Sequence, residues 1–432
     1  MTLLTLLRGN ARWIGGGFVL LLLSSFGQTF FIALSAGDIR REYGLSHGGF
    51  AALYMAATLL SALTLPRLGP VADRHSATRL VRLAVPMLAL AAGLMALSTH
   101  IGLLLVALYL LRLFGQGLMT HIAFTALSRW FLAQRGQALS LATLGMNAGE
   151  ALFPLAFVSL AAVLGWRGAW GAGALGLLLL ALPLVAALTA VERQPARAEL
   201  GTRRTAGRDW TRAEVLRDPL FYWVMAAMIP PALIGNTVFF HQLYLAELRG
   251  WPAQLFASAF ALMAAMTVLC SLLAGRRVDR SSATALLPVY LLPMGLGCLL
   301  LGGAEGGWVV WVFMALFGLS NGCSLALFGT LWPEIYGLAH LGAVRAMIVA
   351  VLVFVSAVGP GSAGLLIDLG LSYPALLLAL GGYCLAVSLT MRAAVRRLRQ
   401  RSQACAQEYI AQAPASHDPE PRGSQPAGDR PS

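Results

Sequence analysis

Twelve stretches of this chain are each long and apolar enough to cross a lipid bilayer, and that pattern constrains the fold more than any motif. A spanning helix needs about 20 largely apolar residues. Such stretches lie near 13–34, 47–66, 80–98, 101–125, 138–163 and 168–190, then near 219–244, 254–274, 283–302, 307–331, 342–366 and 372–394. In hydrocarbon the backbone must satisfy its own hydrogen bonds, so each stretch is expected to be helical. Short connections make neighbouring helices antiparallel. The chain therefore reads as an all-α membrane protein with twelve transmembrane helices, with the lipid bilayer as its first partner. Composition agrees, with 58% hydrophobic and 11% charged residues. That excludes an ordinary cytosolic enzyme, where roughly a quarter of residues are charged, and a disordered chain. The first stretch is too long for a signal-peptide core and lacks a clear cleavage site.

Two segments are not membrane. Residues 191–218 form a charged linker, expected to be cytoplasmic. Residues 395–432 begin basic (VRRLRQR) and end in a Pro/Ala/Ser/Gln-rich tail expected to be disordered. The organisation that follows is a six-helix half at 1–190, the linker, a second half at 219–394, and the tail.

All 31 basic residues are arginine, against 18 acidic ones. Without lysine there is no P-loop and no Schiff-base chemistry. With the N-terminus inside, 26 arginines fall on the inner side. Arg40, Arg41, Arg167 and Arg249 fall outside, and Arg112 lies within a span. Such a bias sets both termini in the cytoplasm and explains the positive charge without nucleic acid. An arginine-only chain points to a GC-rich bacterial genome, hence an inner (cell) membrane.

Enzymatic chemistry finds no footing. Cys270, Cys298, Cys323, Cys384 and Cys405 form no CxxC or zinc spacing, and four of them read as small core hydrophobes. Gly171-Ala-Gly173-Ala-Leu-Gly176 matches GxGxxG but lies inside a span without the strand a dinucleotide site needs. HExxH and GxSxG are absent. No cofactor and no metal are expected, and the chain is not expected to be an enzyme.

The two halves echo each other. GPVADRHSAT at 69–78 and GRRVDRSSAT at 275–284 share Gly-x-x-x-Asp-Arg-x-Ser-Ala-Thr. RLFGQG at 112–117 matches ALFGLS at 315–320, and Trp130 matches Trp332. The chain thus reads as two pseudo-symmetric six-helix halves. A substrate site at the interface of such repeats, near mid-membrane, characterises one large transporter class.

Gly69-x-x-x-Asp73-Arg74-x-x-x-x-Arg79 resembles the loop 2–3 signature of the major facilitator superfamily, and Gly275-x-x-x-Asp279-Arg280 resembles its second copy. Ser76 stands where the first pattern often has Gly. Arg112-x-x-Gly115-x-Gly117 is similar to the family's span-4 arginine motif. The resemblance covers about 10–395 and implies the major facilitator fold. The run SRWFLAQRGQALSLATLGMNAGEALFPL at 128–155 is similar to the monocarboxylate and oxalate/formate porter branch, as is GTLWPEIYGLAHLGAVRA with Gly359-Pro360 and Asp368. That branch commonly carries a charge in span 8 or 11. Here span 8 has none, and span 11 has only Arg345 near its start.

A charge in mid-membrane costs at least about 2.5–3.5 kcal/mol, so Arg112 and Glu150 lead the site candidates. Arg112 has Ala315 as its repeat counterpart, so the scaffold does not require it. It can attract an anion or hold a coupling carboxylate. Its structural alternative is packing against helix ends. On regular helical spacing Gln116 shares its face and His121 is turned away. Glu150 suits a proton carrier, with Asn147 on its face. A structural hydrogen bond is the alternative. Gly145-x-x-x-Gly149 partly resembles the span-5 antiporter motif without its Gly-Pro order, and its spacing alone accounts for close helix contact. His241, late in span 7 near the outer mouth, is a further proton-exchange candidate. Ser24, Gln28, Thr29 and Ser35 give span 1 a polar stripe. The resemblance places spans 1, 4, 7 and 10 around the cavity, so Gln28, Asn236 and Asn321, with Tyr54 in span 2, are substrate-contact candidates. Interhelical hydrogen bonding is the alternative for each. The resemblance makes Gly69, Asp73, Arg74, Arg79, Gly275, Asp279 and Arg280 a gating latch.

The expectation is a monomeric secondary active transporter using alternating access, coupled to protons as symporter or antiporter, for small organic anions such as monocarboxylates. The alternatives are a drug or metabolite efflux pump and a transporter-like sensor.

Overall fold

A computed structural model describes residues 3–131, 135–193, 210–337 and 340–412. Most of the expected linker and the end of the tail lie outside these residues. Twelve helices follow in order: α1 (Gly9–Gly27 and Thr29–Tyr43), α2 (His47–Arg74), α3 (Ala77–Leu97), α4 (Ile101–Trp130), α5 (135–164), α6 (166–189), α7 (Pro219–Phe240), α8 (Gln254–Arg280), α9 (Leu292–Gly303), α10 (Trp308–Tyr336), α11 (Leu341–Asp368) and α12 (Tyr373–Gln412). No strand occurs among the described residues. The end bearing the α1–α2 connection is called the loop end below, and the opposite one the terminal end.

Three helices depart from the regular spans expected. The two parts of α1 meet at 46°, because Ser24–Gly27 tightens to a 3₁₀ turn and Gln28 is extended (φ −80°, ψ 151°). In α4, Leu111–Met119 is wound as a π-helix. Only 12 residues of α9 are helical, preceded by tight turns over 283–291. Pro288 and Pro293 account for that, since proline removes a donor and clashes with the preceding turn. Between α5 and α6 the chain reverses at Gly165, whose φ of +70° suits a residue without Cβ.

The segment from 395, expected to be disordered, is helical as far as Gln412. Two things hold it. Met391, Ala394, Val395 and Leu398 are buried. Arg401 sits 2.6 Å from Asp218 and lies over the rings of Trp210 and Tyr336 at 4.7 and 5.6 Å. Within the expected linker, Thr211 and Glu214 form a capping box for a short helix, Arg212–Arg217.

Glycines bring α5 onto α1. A Cβ on Gly145 would sit 2.0 Å from the Phe18 carbonyl, and one on Gly149 would sit 2.1 Å from Ser25 Oγ. Between the first six and the last six helices, α2 packs on α11, α5 on α8, and α1 on α7. The described polar contacts between the two sets converge on the loop end.

Candidate functional site

The site begins where α1 breaks. A Cβ on Gly27 would lie 2.2 Å from the Leu111 carbonyl oxygen and 2.4 Å from the Gln116 nitrogen, and one on Gly115 would lie 2.6 Å from the Gly27 nitrogen. Two glycines therefore let the α1 break touch the π-wound part of α4. An extended residue interrupts the helical ladder, and carbonyls at such an end need other donors. Arg112 Nη1 supplies one to Gly27 O at 3.0 Å.

Arg112 is 1% exposed. Its Nη1 also reaches Thr29 Oγ1 at 3.4 Å, and its guanidinium lies 5.2 Å from the centre of the Tyr54 ring. Nε and Nη2 are buried without a hydrogen-bond partner among the described residues. A buried ion without a counter-charge is costly, so the free edge of the guanidinium is suited to an anion. Around it, Tyr54 Oη donates to Thr29 Oγ1 at 2.8 Å, and Thr29 donates to Asn236 Oδ1 of α7. Asn236 Nδ2 donates to Ala232 O at 2.7 Å. Arg112, Tyr54 and Asn236 thus come together through Thr29, which the sequence marked only as part of a stripe.

The remaining candidates are dispersed. Among the described residues Glu150 makes no hydrogen bond or ion pair with Arg112, and its Oε2 is buried without a partner. Asn147 donates to Thr143 O at 3.3 Å on its own helix and lines an apolar groove between α5 and α8. Asn321 is half-buried on α10, and Gln28 is half-buried at the α1 break. The expected phase on α4 does not hold: π winding widens the turn between Arg112 and both Gln116 and His121. His241 is not at an open mouth. It is 3% exposed, with Nε2 3.1 Å from Pro360 O and its ring among Phe240, His47 and Tyr373.

That burial reflects a sealed loop end, which sequence reasoning missed. Asp368, at the end of α11, accepts hydrogen bonds from Ser46 Oγ (2.7 Å) and Gly48 N (2.9 Å) at the start of α2. A carboxylate there also meets the positive end of the helix dipole. Phe50 stacks on Phe240 with ring centres 5.3 Å apart, and Gln242 Nε2 donates to Phe30 O at 3.2 Å. No local signal could reveal the Asp368 contact, whose partners lie 320 and 322 residues away.

At the terminal end the repeated loops share one device. Ser76 and Ser282 each cap the start of the next segment. The following amide, of Ala77 or Ala283, donates to a carboxylate: Glu192 at 2.7 Å in one half and Glu334 at 2.8 Å in the other. Glu192 also accepts from Trp130 Nε1 at 2.8 Å. Gly69, Asp73 and Arg74 belong to the last turns of α2, and Gly275 and Asp279 to those of α8. The side chains of Asp73, Arg74 and Asp279 lie outside the described residues. Arg79 and Arg280 are exposed.

Residues 17–360 match the model of the Major Facilitator Superfamily. The chain belongs to that superfamily. Its members are transporters, in keeping with twelve helices around a polar centre. No curated protein matches the chain. Among solved structures, a bacterial homologue of the human lysosomal transporter Spinster, inward-facing and unoccupied, is similar over 93% of this chain and 96% of that one, with TM-score 0.66 and 16% identity. Its inward-facing, occupied form is similar over 94% and 97%, with TM-score 0.67 and 17% identity. At those identities the likeness is one of fold.

Proposed function

We propose that this superfamily member is a secondary active transporter that moves small organic anions, such as monocarboxylates, together with protons by alternating access. The observation that carries this reading is the Arg112 guanidinium, buried with Nε and Nη2 unpartnered among the described residues. A planar fork of donors in a dry site is the arrangement that binds a carboxylate through two parallel hydrogen bonds. Glu150 is the proton carrier in this reading, because its buried Oε2 has no described cation or donor to hold it ionised. The organisation into two halves, with both termini cytoplasmic in a bacterial inner membrane, belongs to the same proposal. The loop-end seal supports it, since alternating access needs one end shut while the other is open.

Liposome uptake tests it. With an inward proton gradient and labelled lactate, formate or oxalate, uptake is expected in the wild type and lost in Arg112→Ala. Glu150→Gln is expected to lose proton-driven uptake while keeping anion counterflow. Wild-type liposomes that take up none of the three anions overturn the reading. A second reading, efflux of an amphipathic compound, is favoured by the apolar groove of Leu144, Ala148, Ala151, Ala264, Val268 and Leu272 between α5 and α8. Dye extrusion without anion uptake would select it.

A further inference from the structure

The Thr29 hydroxyl carries one proton and two acceptor positions, and three different helices engage all of them. Tyr54 of α2 donates to it at 2.8 Å, and Arg112 of α4 donates at 3.4 Å. Its own proton goes to Asn236 Oδ1 of α7, in the other set of six helices. The orientation of Asn236 is set by its second group, since Nδ2 donates to Ala232 O one turn back at 2.7 Å. The direction of Thr29 is set by the extended Gln28 immediately before it. The hydroxyl therefore has no spare bond, and its single contact across the two sets lies directly behind the buried cation.

We propose that Thr29 is the positioning residue through which Arg112 sets the opening of the loop end. A cationic donor on the Thr29 oxygen polarises its O–H and strengthens the bond to Asn236, as in any hydrogen-bond chain of low dielectric. An anion taken by Nε and Nη2 neutralises that cation and competes for the guanidinium. The bond to Asn236 then weakens, and the seal next to it, Gln242 on Phe30 and Phe50 on Phe240, loosens with it. A ligand shifts a conformational equilibrium only through such a difference in contacts between the two states. The anion-dependent part rests on the reading of Arg112 under "Proposed function"; the link from Arg112 to Thr29 to Asn236 does not.

Hydrogen exchange of the full chain in lipid nanodiscs tests it, read by mass over residues 43–52 and 241–250. Thr29→Val removes the hydroxyl at nearly constant volume and is expected to raise exchange there roughly three- to tenfold, the effect on local opening of losing the one Thr29 bond that joins the two sets of helices. Thr29→Ser should restore wild-type exchange. Arg112→Gln should also raise it, and the double variant Thr29→Val/Arg112→Gln should add nothing at the loop end beyond Thr29→Val, since Arg112 reaches the loop end through Thr29, its bond to Gly27 O lying on the near side of the α1 break. Unchanged exchange in Thr29→Val, a uniform rise along the whole chain, failure of Thr29→Ser, or additive effects in the double variant each overturn the proposal. Lactate or oxalate should raise loop-end exchange in wild type but not in Thr29→Val. If Thr29→Val, Thr29→Ser and the double variant behave as expected while neither anion changes wild type, the link stands and the anion reading of Arg112 falls.

Discussion

Arg112 is the residue on which the molecule spends stability. It donates from Nη1 to Gly27 O and, at longer range, to Thr29 Oγ1, and leaves two nitrogens buried without described partners. The sign of a substitution therefore separates a binding role from a structural one. In Arg112→Met the two lost bonds cost about 1 kcal/mol each, while relief of an uncompensated buried charge returns a similar or larger amount. The expected outcome is a melting temperature in detergent equal to or above wild type, with anion uptake abolished. A marked fall in melting temperature would mean that Arg112 serves mainly to hold the α1 break. Arg112→Lys keeps the charge but not the planar fork. It is expected to lower anion affinity at least about tenfold in counterflow, with little change in melting temperature.

Among the elements, the break in α1 and the π winding of α4 form one unit, because each backbone occupies the space that a side chain would need on the other. In Gly27→Ala the new Cβ meets two backbone atoms of α4 within 2.4 Å, and backbone cannot rotate aside as a side chain can. The cost should exceed the usual range of about 1–3 kcal/mol for overpacking, seen as lost yield of folded protein and a large fall in melting temperature. Gly93→Ala on α3 meets nothing within 4 Å and should leave both unchanged, or slightly improved by the gain in helix propensity. Equal effects of the two substitutions would sink the account of the break. The same reasoning applies to Gly48, where a Cβ would stand 2.5 Å from the Asp368 carboxylate that seals α2 against α11.

At the scale of the whole molecule, the loop end is marked by its charge pairing and by its seal. All four arginines expected on the outer side have carboxylate partners at the loop end: Arg40 with Glu247, Arg41 with Asp38, Arg167 with Glu42, and Arg249 with Glu305. Each pair has at least one exposed partner, and such pairs add little stability. Their effect is to neutralise the loop end, leaving the excess arginine at the other, which supports cytoplasmic termini. Reporter fusions after residue 412 and within 194–209 should both report the cytoplasm, and one reporting the opposite side overturns the topology. Closure is a separate test. With spin labels at Arg41 and Ala253, both exposed at the loop end, Asp368→Ala should lengthen and broaden the measured distance. An unchanged distribution would mean that the aromatic, Gln242–Phe30 and Arg40–Glu247 contacts keep the loop end shut without Asp368.

The number and order of the helices, the repeated loops and the superfamily are legible in the chain itself, because hydropathy over 20 residues and short motifs are local properties and lipid leaves helices as the only spanning form. The polar site candidates within the spans, and the arginine within span 4, are legible for the same reason. Which of them meet is not. Thr29 and Asn236 are 207 residues apart, and Arg112 and Thr29 are 83 apart. Sequence reasoning placed Gln116 and His121 relative to Arg112 by assuming a regular helix, and the π winding of Leu111–Met119 removed that regularity. It put His241 at an open mouth, but the packing of α7 on α11 and the closure over α2 buried it. The chain alone therefore determined that this is a twelve-helix transporter with a charge to explain. Only the tertiary structure decided that the charge lies behind a broken helix and touches, through one hydroxyl, the other half of the molecule.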